Sequence, residues 1–431
     1  MGLHNAVITT ERDDYRPYLN TVRDDYNQPV MYNTSVRNEE PPMPQYLRRG
    51  SIPRKHHIEH KVKPGFKNEG IYYEEVVSTV GFERAYSICY HLRPPTRVRK
   101  VEPAGIMPME IVEGEMLRHH HLKSKNIPTR GDIINGRLPL MTNTDVTISR
   151  CRPSETQHEL YRNASCDEVI FVHHGRGNLQ SPLGIVQFKP FDYVVVPRCT
   201  TFRMEFDAGI QPDLLIVESA GDLRIPERYL NPDGQLRLGA PYSERDFHGP
   251  SDVNVIDQEK DVPVLVKDGD RFTRYILSSH PFDVVGWDGF LYPFTFNADD
   301  FEPITGTVHQ PPPVHQTFKT KGFDLCTFAP RFLDHHPEAV KVPYVHSNVG
   351  ADEVLYYVRG NFGSRRGVEQ ASFTLHPRGI PHGPHPGTIV ASREVSRTDE
   401  LAVMVDTHLP LFLTRQALEL DDPQYPYSWL D

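Results

Sequence analysis

Residues 344–362, YVHSNVGADEVLYYVRGNF, and residues 375–385, LHPRGIPHGPH, decide how the chain folds and where its chemistry lies. Residues 354–358 are all apolar, β-branched or aromatic, which predicts a buried strand. Gly360 follows, and a residue that tolerates positive φ is expected where such a strand ends. The two stretches therefore predict antiparallel strands joined by turns.

Three side chains in these stretches are candidate metal ligands: His346, Glu353 and His382. Glu353 opens the apolar strand, where a carboxylate is costly to bury unless a cation matches its charge. Two imidazoles and one carboxylate form the donor set of non-haem Fe(II) sites, which keep open positions. The alternative is that the two histidines are ordinary surface or hydrogen-bonded residues among the 22 in the chain, and the turn motifs around them argue against it.

Asp352 is a rival carboxylate for the same site. Alternation along a strand places Asp352 and Glu353 on opposite faces, so only one of them can point inward. Six residues separate Glu353 from Gly360, and this spacing favours Glu353 as the inward residue.

Composition restricts the class of protein. A length of 431 residues allows two or three domains or one large two-lobed β protein, and 39 prolines favour strands joined by irregular loops. The formal charge of −10 argues against nucleic acid and anionic membranes as partners. The sequence contains no apolar run long enough to predict a membrane span, and the N-terminus lacks the apolar core of a signal peptide. Five scattered cysteines without a Cys-x-x-Cys pair favour a reduced, cytoplasmic protein.

Two segments are expected to lie away from the core. Residues 1–48 are polar and punctuated by proline, which predicts an arm that is flexible or lies on a neighbouring subunit. The tract from His119 to His121 has cationic neighbours and no adjacent carboxylate, which predicts an exposed turn rather than a metal site.

An internal repeat precedes the candidate site. CDEVIFVHHG, residues 166–175, matches ADEVLYYVRG, residues 351–360, so that Glu168 corresponds to Glu353. In this first copy we expect Tyr161 at the position of His346 and Arg198 at that of His382. Arginine repels a cation and can pair with Glu168, so the first copy is predicted to be structural.

The motifs resemble known families. The pattern His346-x-Asn348, Glu353 and Pro377-x-Gly379-x-x-His382 is similar to the two cupin motifs. The runs VVGWDGFLYPFTFN, VHQPPPV, PYVHSN, PHGP and DELAVMVDTHLPLFLTRQALEL stand in the order and approximate spacing of the homogentisate 1,2-dioxygenase family. The resemblance is good from about residue 270 onward, moderate from about 50 to 270, and absent from residues 1–48.

The resemblance implies a mainly β protein, a two-lobed β-sandwich or jelly roll (bicupin-like), with the metal site only in the C-terminal cupin lobe. The lobes are expected at residues 49–300 and 301–431. The implied activity is Fe(II)-dependent ring opening of homogentisate by O2 to maleylacetoacetate, in tyrosine and phenylalanine catabolism. The family also implies a homo-oligomer, with trimers paired into hexamers.

The resemblance also implies roles for individual residues. The iron ligands fall on His346, Glu353 and His382, and the acid/base histidine falls on His309, with His315 in the same loop as the competing candidate. Substrate-binding positions fall on Tyr344, Asn348, Phe362, Arg365 and His376. The family has Tyr and Lys where this chain has Phe362 and Arg365; arginine keeps the cation and can grip a carboxylate through two hydrogen bonds.

Three other functions fit parts of the pattern. Another para-diphenol, such as gentisate or hydroquinone, could be cleaved at the same site. A metal-dependent cupin isomerase commonly uses more histidines, and Asn348 in place of a second histidine argues against it. A non-catalytic metal-binding or storage bicupin fits the first copy and not the second, where all three ligands are present.

Overall fold

The computed structural model describes residues 45–66, 70–82 and 84–430, and their regular structure is almost entirely β-strand. The predicted arm lies outside these residues as far as residue 44. The strands are β1 Leu47–Gly50, β2 Tyr73–Ser78, β3 Tyr86–His91, β4 Val98–Ile106, β5 His120–Leu122, β6 Arg137–Thr142, β7 Val146–Cys151, β8 Leu160–Asn163, β9 Asp167–His174, β10 Gly177–Ser181, β11 Gly184–Phe188, β12 Asp192–Val196, β13 Arg203–Phe206, β14 Asp213–Ser219, β15 Phe247–His248, β16 Val262–Asp268, β17 Arg271–Leu277, β18 Val284–Gly289, β19 Phe294–Asn297, β20 Gln316–Lys319, β21 Phe323–Phe328, β22 Arg331–Phe332, β23 Asp352–Arg359, β24 Phe373–His376, β25 Arg397–Thr398, β26 Leu401–Thr407 and β27 Phe412–Leu413.

The helices of the described chain are short. The α-helices are α1 Thr388–Ala391 and α2 Arg415–Leu420, and 3-10 turns occur at Glu227–Tyr229, Glu244–Asp246, Ala298–Asp300, Pro312–His315 and Tyr425–Tyr427. Within the described ranges, we find no helix that combines the length and the apolar character needed to cross a bilayer.

Two large antiparallel sheets organise the two lobes. One has eight strands in the order β15-β19-β12-β9-β14-β7-β6-β27, and the other has six in the order β20-β21-β26-β23-β24-β5. Smaller sheets, in the orders β1-β18-β3-β2, β4-β17-β16-β8, β11-β10-β13 and β22-β25, complete the described part. The predicted mainly β, two-lobed, bicupin-like fold is confirmed.

The internal repeat is present in the topology. β9 lies between β12 and β14, and β23 lies between β24 and β26, all antiparallel. Glu168 is opposite Glu218 on β14, and Glu353 is opposite Asp406 on β26, so the two glutamates hold equivalent positions.

Each copy uses its aspartate to anchor the turn that follows. Asp352 accepts hydrogen bonds from the backbone N–H groups of Arg378 and Leu411. Asp167 likewise accepts the N–H of Arg198 at 2.9 Å. These bonds occupy Asp352 outside the candidate site, which explains why Glu353 is the inward carboxylate.

The repeat differs from the predicted alignment at one position. The backbones of Tyr161 and Phe202 exchange two hydrogen bonds of 3.0 and 2.8 Å, and those of His346 and His382 exchange two of 2.8 Å. Tyr161 therefore matches His346 as predicted. Phe202 matches His382, and the prediction that Arg198 does so is wrong, because the turn residue equivalent to Arg198 is Arg378.

The two lobes exchange strands. β5, at residues 120–122, pairs with β24 in the C-terminal sheet, whereas β27, at residues 412–413, pairs with β6 in the N-terminal sheet. The largest apolar cluster also contains residues of both lobes, including Trp287, Phe318 and Tyr356. The sequence boundary at residue 300 stays a prediction, and the observed sheets draw on both sides of it.

Candidate metal site and adjoining cavity

His346, Glu353 and His382 converge on one point. Their ligand atoms lie within 4.8 Å of one another, and within the described ranges this trio is the group of His, Cys, Asp or Glu side chains found close enough to share an ion. The Nε2 atoms of His346 and His382 lie 3.6 and 3.7 Å from Oε2 of Glu353. One carboxylate oxygen therefore faces both imidazoles.

The local fold explains this convergence. Glu353 lies near the start of β23, which ends at Gly360, where φ is +88°. His346 and His382 lie on extended segments joined by their paired backbone hydrogen bonds. The turn between β24 and His382 contains Gly379, whose φ is +74° and whose N–H donates to the carbonyl of Asn348 at 2.7 Å.

Backbone carbonyls set the orientation of both imidazoles. Nδ1 of His346 lies 3.2 Å from the carbonyl oxygen of Tyr344, and Nδ1 of His382 lies 3.0 Å from that of Ile380. A carbonyl can only accept, so Nδ1 carries the proton and Nε2 presents its lone pair to the site. Nε2 of His382 is buried without a hydrogen-bond partner. Such an orphaned atom fits a metal ligand.

The charge of Glu353 is maintained by its neighbours. Burial opposes ionisation, but the hydrogen bond from His376 and the nearby imidazoles of His346 and His382 outweigh it and hold the pKa of the carboxyl well below its usual range. The carboxylate form is the one that binds a cation. Two imidazoles and a carboxylate thus fit a divalent transition metal.

His376 supports the site from behind. It is fully buried, with Nδ1 2.7 Å from Oε1 of Glu353 and Nε2 3.2 Å from the hydroxyl of Tyr425. Burial lowers its pKa to about 3, so the ring is neutral. The resemblance implied that His376 lines the substrate pocket. In the structure its side chain contacts the carboxylate of Glu353 and does not line the cavity.

A cavity of about 420 Å³ opens beside the trio and includes His346 and Glu353 in its wall. Of the other predicted site residues, it is also lined by His309, Phe362 and Arg365. Tyr344 and Asn348 do not line it. The Tyr344 ring instead lies between His309 and His346, at centroid distances of 4.8 and 6.1 Å.

Both candidate acid/base histidines reach the cavity. His309 has a side chain 28% exposed, its Nδ1 lies 3.8 Å from Asp334, and its Nε2 is buried without a partner. His315 is buried against Phe328, and burial holds its pKa well below the usual range. Each imidazole has one nitrogen that is buried without a hydrogen-bond partner, Nε2 in His309 and Nδ1 in His315.

The two positions that depart from the family pattern face the cavity. Phe362 is buried, with its ring 4.7 Å from that of Tyr357. Arg365 donates through Nη1 to the carbonyl of Gly383, and its Nε is buried without a hydrogen-bond partner. A buried, unpaired guanidinium donor is suited to an anionic ligand.

The histidine tract at 119–121 is buried, and the prediction of an exposed turn is wrong. His119 packs at 4.8 Å against Trp429 and at 5.8 Å against His376. His120 bonds to Asp421, a residue about 300 positions away. The missing carboxylate is supplied by the C-terminal segment, which no local pattern could reveal.

The first copy of the repeat has no room for an ion. Arg137 donates to both carboxylate oxygens of Glu168 at 2.9 and 2.8 Å, and Tyr161 and Asn163 donate to Oε1 at 2.7 and 2.9 Å. The predicted partner, Arg198, instead bonds to the anchoring aspartate described above. The first copy thus has the predicted structural role, with Arg137 rather than Arg198 as the partner of Glu168.

Comparisons with known proteins identify the family of the chain. Residues 134–298 match the family model described as homogentisate 1,2-dioxygenase N-terminal. A protein of Saccharolobus solfataricus named "Putative dioxygenase" is 38% identical over 388 residues, covering 89% of this chain and 98% of the relative. Homogentisate 1,2-dioxygenases of Rhodopseudomonas palustris and Pseudomonas putida are each 26% identical, covering 61% and 69% of this chain and 60% and 72% of the relatives. The chain is a dioxygenase that belongs to the homogentisate 1,2-dioxygenase family.

Proposed function

We propose that this chain binds Fe(II) through His346, Glu353 and His382 and opens the ring of homogentisate with O2 to give maleylacetoacetate. The observation that carries the proposal is the orphaned Nε2 of His382, which faces an ionised carboxylate at the edge of a cavity. When bound, ferrous iron supplies open coordination positions and the redox chemistry that O2 requires. Cleavage of homogentisate would place the chain in tyrosine and phenylalanine catabolism, as the family resemblance implies.

The charge of the cavity supports an anionic substrate. Its wall carries five basic residues and four acidic ones, namely Arg331, Lys341, Arg365, Arg366 and Arg397 against Asp334, Glu353, Asp399 and Glu400. A divalent metal adds two further positive charges. We assign Arg365 to the substrate carboxylate, because its buried Nε is free to donate.

The apolar wall supports an aromatic ring. Leu355, Phe362 and Met404 belong to one buried apolar cluster and also line the cavity. A ring packed there is kept from water while its carboxylate contacts Arg365 and its phenolic oxygen points to the trio. This orientation holds the reacting groups together, which is the main contribution expected of the protein.

We assign the proton on the substrate phenol to His309. Its Nε2 lacks a partner, and Asp334 and the Tyr344 ring hold the imidazole from two sides. A neutral imidazole at this place can accept the phenolic proton and return it after the ring opens. His315, in the same wall, is the alternative.

A related para-diphenol acid is the second candidate substrate. Phe362 lacks the hydroxyl that the family places there to hold the substrate, which favours an acid whose side chain differs from that of homogentisate. Arg365 still requires a carboxylate, so gentisate fits this wall better than hydroquinone. A non-catalytic metal-binding role is disfavoured by the adjoining cavity.

Anaerobic reconstitution tests the proposal. The purified chain is loaded with Fe(II), mixed with homogentisate and exposed to air while ultraviolet absorbance follows the ring-opened product. We expect one iron per chain and turnover, with oxygen uptake across a para-diphenol panel ranking the substrates. Glu353→Gln should lose iron and turnover, whereas Glu338→Gln at an exposed site is the matched control. An iron-free wild-type chain after reconstitution would contradict the proposal.

We also propose a cytoplasmic homo-oligomer, a trimer or a pair of trimers. All five cysteines are free thiols, which is typical of a reducing compartment. Exposed apolar side chains on β4, including Val98, Val101 and Ile106, support contact with another copy. Light scattering of the purified chain measures the assembly directly, and a monomer would contradict it.

A further inference from the structure

We propose that His376 and Tyr425 are positioning residues that restrict Glu353 to binding the metal through one oxygen. Oε1 is held by His376, and Oε2 alone is presented to the metal. This inference rests on the metal site of the proposed function and adds to it how the carboxylate binds and which residues control that mode.

The two oxygens of Glu353 have different surroundings. Oε1 lies 2.7 Å from Nδ1 of His376, whereas Oε2 lies 3.6 and 3.7 Å from the Nε2 atoms of His346 and His382. The shorter contact is a hydrogen bond, and the longer pair leaves space between the three ligand atoms. An ion at that point meets Oε2 first, while the donor on Oε1 opposes a second metal bond.

Tyr425 determines which nitrogen of His376 carries the proton. Oε1 of the ionised Glu353 can only accept, so the ring carries its proton on Nδ1, and its Nε2 accepts from the Tyr425 hydroxyl 3.2 Å away. The proton then stays on Nδ1, which is the donor that Oε1 requires. Tyr425 belongs to the 3-10 turn Tyr425–Tyr427, so the C-terminal segment takes part in the metal centre.

Packing keeps the His376 ring in this orientation. The ring stacks on His382 at 4.7 Å and 19°, and His119 meets it edge-on at 5.8 Å. Trp429 closes the same side, with its Nε1 donating to the carbonyl of Gly383 at 3.1 Å. A fully buried ring in such contacts cannot turn away from the carboxylate without displacing them.

The first copy of the repeat provides an internal comparison. Val196 is opposite Glu168 on the neighbouring strand, as His376 is opposite Glu353. In that copy both carboxylate oxygens of Glu168 are occupied, with Arg137 contributing a donor to each. In the copy that keeps the metal ligands, His376 donates to one oxygen of Glu353 only.

One-oxygen binding matters for the reaction. Two imidazoles and a single carboxylate oxygen occupy three positions of the metal and leave the remaining ones for O2 and substrate. A carboxylate that binds through both oxygens takes a further position. His376 and Tyr425 therefore preserve the positions that a two-substrate reaction needs.

The direct test is the crystal structure of the Fe(II)-loaded chain prepared without O2 or substrate. In the wild type we expect Oε2 of Glu353 at about 2.0–2.2 Å from the metal, the usual bond length for a carboxylate ligand, and Oε1 still bonded to His376. In His376→Leu both oxygens should bind. Equal metal distances for the two oxygens in the wild type would overturn the inference.

Metal affinity gives a second readout that needs no turnover. Competition with a coloured Fe(II) chelator should show binding weakened about 10- to 100-fold in His376→Leu, the usual effect of losing such a partner. His376→Asn, whose amide N–H lies near the place of Nδ1, should restore most of it, and Tyr425→Phe should lose less than His376→Leu. Equal losses in His376→Leu and His376→Asn would count against the inference.

The outcomes separate this inference from the proposed function. If the wild type binds no Fe(II), the proposed function fails and this inference falls with it. If it binds one Fe(II) through both oxygens of Glu353, only this inference fails. If His376→Leu does not fold, Tyr425→Phe decides: unchanged affinity and unchanged carboxylate binding would refute the role of Tyr425.

Discussion

Replacing Arg137 by methionine should destabilise the protein strongly without touching the metal site. The Arg137 side chain is fully buried and bonds both oxygens of Glu168, while its Nη1 lies 3.3 Å from Glu218. Burial opposes the charge on this guanidinium, and the two carboxylates outweigh it and hold its pKa well above the usual range. The substitution leaves Glu168 with a buried charge and no cation in contact.

The expected loss follows from that uncompensated charge. Removing one partner of a buried ion pair costs about 3–5 kcal/mol. Tyr161 and Asn163 still donate to Glu168, and Lys267 still pairs with Glu218 at 2.6 Å, which favours the lower end of that range. We therefore expect a loss of about 3 kcal/mol in the free energy of unfolding.

Urea unfolding of the wild type and Arg137→Met measures this loss. Arg415→Met is the matched control, because it removes an arginine whose pair with Glu110 is exposed and should leave the unfolding midpoint unchanged. Adding Glu168→Gln to Arg137→Met should recover part of the loss, since it removes the buried charge. Iron per chain should not change. A loss no larger than that of the control would refute the reasoning.

Three further outcomes are expected. Burial lowers the pKa of His173 to about 4, whereas the pKa of histidine in the unfolded chain is about 6.5. The contribution of His173 to stability is therefore complete above about pH 6.5 and is lost toward pH 4, by up to about 1.4 kcal/mol per pH unit. In His173→Gln, the urea unfolding midpoint should depend less on pH over that range. Arg365→Ala should raise KM for an aromatic acid about 10-fold or more, as measured by oxygen uptake. Arg365→Lys should raise KM less, because lysine keeps the positive charge but cannot donate two parallel hydrogen bonds to a carboxylate. His309→Ala should retain iron and lower kcat about 100-fold or more, with His315→Ala affecting it less; iron loss in His309→Ala would make His309 a ligand instead.

The strands and the candidate metal ligands could be predicted from the sequence because their signals are local. The apolar run after Glu353 identifies a buried strand, and the glycine that ends it has the expected positive φ. The same pattern, repeated around Glu168, predicted two equivalent strands, which the topology confirms. His346 and His382 could be identified as candidate ligands because each lies at a recognisable spacing from a nearby strand or turn.

What surrounds those ligands was decided by tertiary structure alone. The partner of Glu168 is Arg137 rather than Arg198, and His119 lies behind the site rather than in a turn. His376 faces the carboxylate of Glu353 rather than the cavity.

These contacts share one physical cause. Local spacing determines which side chains lie on one face of a strand, and it therefore predicted the candidate ligands. The side chains that surround them come from other strands and from a C-terminal segment, which meet only when the two lobes exchange strands and close the core. The spacing of residues along the chain thus identified the candidate metal-binding set, and the packing of distant segments decided how that set is held.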